Sequence, residues 1–324
     1  MSAPRILLVR FSAIGDCVMA AWAATSIRRR YPDSFLCWAV EARCAPVIDR
    51  TDLATQVWEL PRDRWKRARW SPKTWAEQVS AYGRLRRLKF DIGIDLQGHS
   101  KTAICLRLSG AKRRIAAKAT DAFAAKLNPV FGQRPAEMHV VEWNQQVLSA
   151  AGDFRLPDAP IMPRRQDAFE AIRRHIVEGK RLATISVSAG QPDKAYLAEN
   201  WRVVAEALLA DGYQVAYLGG PTDSPMNQEG TIDLVGKLPL SETLAAVQCS
   251  HLHLAGDTGT GHMAAACGVP VVSVFGPTDP AVFRPYTDNG IVLRDGRETS
   301  LVAPERVIRA AHELVRREDA AVSD

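Results

Sequence analysis

Short apolar runs of four to seven residues recur along the chain, each followed by a turn and then by a longer stretch with helical character. The first half shows this at Ile6–Val9, Leu36–Val40, Val57–Leu60 and Phe90–Leu96. The second half repeats it at Leu182–Val187, Gln214–Leu218, Ile232–Val235 and Val269–Phe275. Runs this short and largely apolar predict strands, and their alternation with helices predicts parallel sheets. Helices are predicted between them over Cys17–Arg30, Arg43–Asp49, Trp75–Leu88, His139–Ala151, Gln166–Glu178, Trp201–Asp211 and Thr260–Cys267, then from Ser241 and over Pro304–Glu318, with a frayed end at Asp319–Asp324. Lys112–Ile115 reads as one more strand. The alternation predicts two doubly wound α/β domains. The proline-punctuated stretch Phe154–Pro163 marks the boundary, giving domains over 1–160 and 161–324.

Composition changes this picture little. Of the 324 residues, 47% are hydrophobic and 24% charged, as in globular domains. No apolar run reaches membrane-spanning length, and the N-terminus enters a strand without a signal-peptide pattern. The six cysteines are scattered, without metal-ligand spacing, and read as reduced thiols of a cytoplasmic protein. Charge is more informative. The formal net charge of +6 hides an asymmetry, because residues 1–155 carry 26 Lys and Arg against 14 acids, and the remainder 16 against 22. The first half is thereby expected to meet something acidic: nucleic acid, an anionic membrane or an acidic substrate.

Three stretches carry candidate chemistry. The first strand leaves through Arg10-Phe11-Ser12-Ala13-Ile14-Gly15-Asp16, a turn with one glycine where a dinucleotide fingerprint needs three, which counts against a dehydrogenase. Asp16 lies where doubly wound folds bind ligands, and it is equally placed to cap the following helix. Between residues 61 and 75, Arg62, Arg64, Lys66, Arg67, Arg69 and Lys73 alternate with Trp65, Trp70 and Trp75. Such a segment suits a solvated basic face, a stacking platform for nucleic acid, or a loop that grips sugar acids and phosphates. The third stretch, residues 251–280, reads as strand, glycine turn, helix, strand. The helix N-terminus after Asp257-Thr258-Gly259 offers unpaired N–H groups to a phosphate, with His262 within reach, although Asp257 or Thr258 could serve as a plain cap.

The third stretch also resembles a known family. D-T-G-x-x-H at 257–262, followed by A-A-A-x-x-x-P-V-V-x-x-F-G-P-T-D-P at 264–280, is similar to the C-terminal signature of the bacterial ADP-heptose:lipopolysaccharide heptosyltransferases. R-x-S-A-I-G-D at 10–16, D-L-Q-G-x-x-K at 95–101 and G-K-x-x-L at 236–240 extend the resemblance over nearly the full length, closest to the heptosyltransferase I type. It implies the GT-B architecture, two doubly wound Rossmann-like domains facing a cleft, with the last helix packing back on the first domain. It implies an inverting transfer of heptose from ADP-heptose to an acidic inner-core acceptor such as Kdo-lipid A, at the inner face of the cytoplasmic membrane, with no metal and no nucleic-acid partner.

The same resemblance assigns residues. Asp16 is the general base. The donor is held by Lys194 on its phosphates, Asp223 on the ribose, the backbone near Leu238 on the adenine, and Asp257, Thr258, Gly259 and His262 on the sugar diphosphate. Ser12, Gly15, Arg62, Arg64, Lys66, Arg67, Gln97 and Lys101 form the acceptor side. Met19 stands where the family often has histidine. A family member with another acceptor, or a nucleotide-sugar epimerase of the same architecture, is the alternative.

Overall fold

The structure is a computed structural model, and it describes residues 3–323. The chain divides into two compact units, residues 1–163 and 164–324. In the first unit, β1 (Arg5–Val9), β2 (Phe35–Glu41), β3 (Gln56–Leu60), β4 (Ile92–Asp95) and β5 (Arg113–Ala116) form one sheet in the order β3-β2-β1-β4-β5. Every pairing is parallel, as the strand–helix alternation predicts. The order reverses between β1 and β4, so the loops after these strands flank the crevice where doubly wound sheets bind ligands. The helices are α1 (Ile14–Arg30), α2 (Arg62–Arg67), α3 (Pro72–Arg84), α4 (Ser100–Leu108), α5 (Ala122–Leu127) and α6 (Val140–Ser149).

Several elements depart from the expectation. α1 begins at Ile14, so Gly15 and Asp16 belong to its first turn and not to the turn before it. The helix expected over Arg43–Asp49 is a 3-10 turn over Ala42–Val47, because Pro46 lacks the N–H that an α-helix would need there. The basic segment is mostly helical: α2 starts at Arg62, and α3 starts three residues before Trp75, with Pro72 in its first turn, where a missing N–H costs nothing.

The second unit comprises α7 (Gln166–Arg173), β6 (Leu182–Ser186), α8 (Ala198–Ala210), β7 (Gln214–Leu218), β8 (Ile232–Asp233), α9 (Leu240–Cys249), β9 (Leu252–Gly256), α10 (Gly259–Ala266), β10 (Val271–Phe275), α11 (Pro280–Phe283), β11 (Gly290–Arg294) and α12 (Pro304–Ser323). Its parallel sheet runs β11-β10-β9-β6-β7-β8 and reverses between β6 and β9. One face packs Ala183, Ile185, Leu252, Leu254, Val272 and Val274 against α8 and α12, to which α12 contributes Val307, Ala310, Ala311 and Leu314. α12 is helical through Ser323 instead of fraying from Asp319, and Asp324 lies outside the described residues. The opposite face carries Thr184 and His253, both fully buried and hydrogen-bonded at 2.8 Å. Gly261 of α10 lies over Ser273 and Ala255, which lets the helix sit close to the sheet.

Candidate active site

At the carboxyl edge of the first sheet, Asp16 is held by Ala13 and Arg10. Its Oδ2 accepts the N–H of Ala13 at 3.0 Å, the helix-capping contact, and its Oδ1 pairs with Nη2 of Arg10. Arg10 is in turn held by a 2.6 Å bond from Nη1 to the Leu96 carbonyl, so the guanidinium ties the end of β1 to the loop after β4. The carboxylate of Asp16 is still 27% exposed. Ser12 and Gly15 beside it are half-buried. Met19 is buried in α1 and is not presented at this edge.

Gln97 does structural work. It is buried, and its Oε1 accepts the N–H of Phe11 at 2.9 Å, a second tie between the same two loops. Asp95 is wholly buried, and its Oδ1 accepts the N–H groups of Gln97 at 2.8 Å and Gly98 at 3.0 Å. Burial raises its carboxyl above the ordinary range despite those bonds. Gly98 has a φ of +73°, and a Cβ there would lie 2.2 Å from the Lys118 carbonyl, so this turn admits only glycine.

The centre of charge in this unit is a residue that the sequence did not single out. Glu41, the last residue of β2, is 1% exposed, and four cations converge on it. Arg43 Nε lies 3.0 Å from Oε2, Lys66 Nζ 3.5 Å from Oε2, Lys101 Nζ 3.2 Å from Oε1 and Arg62 Nε 3.8 Å from Oε1. Burial pushes the Glu41 carboxyl up, but the Arg43 hydrogen bond and the charges of Lys101 and Lys66 outweigh it, and the group titrates below its ordinary range. Lys101 is lowered, first by its burial and then by Arg62, against the pull of Glu41. Asp63, 3.5 Å from Lys66, is a second anion, and two anions for four cations still leave a surplus of positive charge. Beside it opens a pocket of about 490 Å³ whose lining includes Arg62, Lys66, Arg69 and Lys101 with Trp65, Trp75 and Tyr82. Of the predicted acceptor residues, Arg62, Lys66 and Lys101 are thus brought together. Arg64 and Arg67 lie outside this lining, and Arg64 is paired with Glu77.

In the second unit the predicted donor residues gather at the carboxyl ends of β6, β7 and β9. Lys194 Nζ donates to Asp257 Oδ2 at 2.6 Å, bridging the loops after β6 and β9 at the point where the strand order reverses. Thr258 occupies the N-cap position of α10, yet its side chain caps nothing; its hydroxyl lies 3.0 Å from that of Thr260. The first N–H groups of α10, from Gly259 on, are therefore not claimed by Thr258, and the cap reading for that residue is corrected. His262 is buried in the same helix. Asp223, after β7, accepts the Gly220 N–H at 2.6 Å and the hydroxyl of Ser188. Leu238 is half-buried in the loop after β8. Among the described residues no group of three or more His, Cys, Asp or Glu is placed to hold a metal ion.

Glycosyltransferase family 9 (heptosyltransferase) matches residues 78–306, more than two thirds of the chain. The chain belongs to that family. The protein is therefore a glycosyltransferase, and its two parallel-sheet units form the GT-B fold. Lipopolysaccharide heptosyltransferase 1 of Pseudomonas aeruginosa is 27% identical over 306 residues, covering 87% of this chain and 81% of that protein. Among solved structures, a family 9 glycosyltransferase from Veillonella parvula superposes with a TM-score of 0.83 at 19% identity, covering 97% of each chain. The E. coli heptosyltransferase WaaC solved with ADP gives 0.78 at 22% identity, covering 96% of this chain and 99% of that one.

Proposed function

We propose that this glycosyltransferase moves heptose from ADP-heptose to an acidic inner-core acceptor of lipopolysaccharide, Kdo-lipid A, with inversion at the anomeric carbon. The observation that carries the reading is the cluster on Glu41. A surplus of half-buried and exposed cations beside an aromatic-lined pocket suits carboxylates and phosphates on a sugar scaffold. Asp16 takes the proton of the acceptor hydroxyl as that oxygen attacks, and Arg10 holds the carboxylate in place.

The donor belongs to the second unit. The diphosphate is received by the N-terminal N–H groups of α10 and by Lys194, which exchanges Asp257 for a phosphate oxygen. Asp223 offers its remaining oxygen to the ribose, and the backbone near Leu238 holds the adenine. Charge on the departing ADP is met by these groups without a divalent ion.

The deciding experiment incubates the purified protein with ADP-heptose and either Kdo-bearing or Kdo-free lipid A, with and without EDTA. Heptose incorporation only into the Kdo-bearing lipid, unchanged by EDTA, is expected. Transfer only to an acceptor that already carries heptose would move the enzyme to a later core step, and loss of activity in EDTA would overturn the donor assignment.

A further inference from the structure

The corner between α2 and α3 keeps its large apolar side chains in water. Trp70, in the turn, is 81% exposed, and Trp75 and Val79, four residues apart on α3, are 53% and 51% exposed. Neighbouring Trp65 is buried, so burial was available to this segment and these side chains do not use it. Around them the charge is one-sided, with six cations and one acid between Arg62 and Lys73. Arg64 is matched by Glu77, and Lys66 by Glu41 and Asp63. Arg67, Arg69 and Lys73 are exposed and form no ion pair among the described residues, and Arg69 stands 5.2 Å from the ring centre of Trp70.

We infer that this corner is a docking face for an anionic lipid bilayer, with Trp70 seated at headgroup level and Arg67, Arg69 and Lys73 set against lipid phosphates. An indole with an apolar body and one N–H donor suits the boundary between headgroups and acyl chains. Unmatched basic residues beside it add attraction to an anionic leaflet. The combination answers two features at once, since a polynucleotide would meet the cations but give Val79 nothing to bury against. Contact lies on the surface only, as no helix among the described residues is long and apolar enough to cross a membrane. Arg69, Trp75 and Val79 also line the pocket beside Glu41, so an acceptor anchored in the bilayer would reach that pocket from the docked face. The inference deepens the acceptor reading, on which its biological setting rests.

The test sediments the full chain with vesicles of phosphatidylcholine alone and of phosphatidylcholine mixed with phosphatidylglycerol. Binding to the mixed vesicles only, weakened by added salt, is expected. Trp70→Ser should lower the partition coefficient about tenfold, the order expected when one large apolar side chain is no longer buried. Lys73→Glu should lower it further at low salt than at high salt. Both variants should keep the wild-type melting temperature and ADP affinity, since both positions are exposed. Equal binding to the two vesicle types, or wild-type partitioning of both variants, overturns the proposal. So does loss of random-sequence oligonucleotide binding in these variants with vesicle binding intact, which would make the face a nucleic-acid surface. Transfer to an acceptor stripped of its acyl chains reads the acceptor assignment separately: its absence would sink that assignment while vesicle binding stood.

Discussion

At the carboxyl edge of the first sheet a single carboxylate, Glu41, faces four cations, whereas at the edge of the second a single lysine, Lys194, faces a single carboxylate, Asp257. The two edges have the same strand geometry and the same kind of reversal in strand order. They differ in how much charge is left over. The first edge holds a standing positive surplus and attracts an acidic molecule at a distance. The second is internally matched, and under the proposed function an incoming diphosphate displaces Asp257 from Lys194. In this reading the first edge recruits and reacts, and the second exchanges partners.

Asp16→Asn tests the division most severely. It retains shape and can still accept the Ala13 N–H, but it cannot take a proton at neutral pH. Turnover should fall by at least ~100-fold with nearly unchanged ADP affinity, in a folded variant whose melting temperature drops only by what the lost Arg10 ion pair contributes. A normal kcat in this variant would leave Asp16 as a helix cap alone. Asp95, fully buried, would be a poor replacement for it.

Next in size is Glu41→Gln. Removing the hub charge leaves Arg43, Arg62, Lys66 and Lys101 facing one another. Because those cations reach solvent, the loss in stability should be somewhat below the ~3–5 kcal/mol of a fully buried broken pair. Chemical denaturation measures it. An unchanged unfolding midpoint would mean that the cations are independently solvated, and the contrast between the edges would dissolve.

The matched pair gives a smaller effect with two opposite signs. Lys194→Ala should weaken ADP binding about tenfold, the loss of one charge-assisted contact. Asp257→Asn frees Lys194 from its partner and should tighten binding of ADP, measured without the sugar, by a few-fold on the same scale. If calorimetry shows both variants weaker, Asp257 is itself a ligand for ADP and the exchange picture fails.

The effect that is smallest near neutral pH concerns the interior behind the second edge. Burial lowers His253 to about 3, so the folded state leaves it neutral while the unfolded chain protonates it near 6.5. Between those values the unfolded state binds the extra proton, so stability rises with pH and is lost as pH falls below about 6.5, by up to ~1.4 kcal/mol per unit. Replacing His253 with Asn should flatten that acid limb in a series of melts. An unaltered limb would assign the acid sensitivity elsewhere, Glu41 included.

Much of the fold was legible because the central strands are buried along their length and so appear as short, largely apolar runs. Gln214–Leu218 matches its predicted range. Where burial is partial the pattern blurs: β11 is an edge strand with one buried residue in five, and its GIVLR gave no clear run. The short helices α5 and α11 were missed although each begins at an aspartate that accepts a backbone N–H, Asp121 from Ala124 and Asp279 from Ala281. A cap residue ahead of only four to six helical residues is a weak signal. Asp16 and Asp257 stood out because they follow strand ends, and Lys194 through the family resemblance alone. Glu41 also ends a strand, but its importance depends on Arg62 and Lys66 from α2 and Lys101 from α4 arriving at the same point. That convergence is a property of the parallel pairing of β1 with β2 and β4, and no local pattern encodes it.

Arg10 shows what a motif letter can mean in three dimensions. Its guanidinium serves two directions at once, the Leu96 carbonyl through Nη1 and the Asp16 carboxylate through Nη2. A lysine would supply the same charge from one nitrogen and could not span both acceptors with fixed geometry. In a library randomised at this position, charge alone would therefore not be the property selected. A planar fork would be, and the twenty-letter alphabet contains one side chain of that shape that stays ionised.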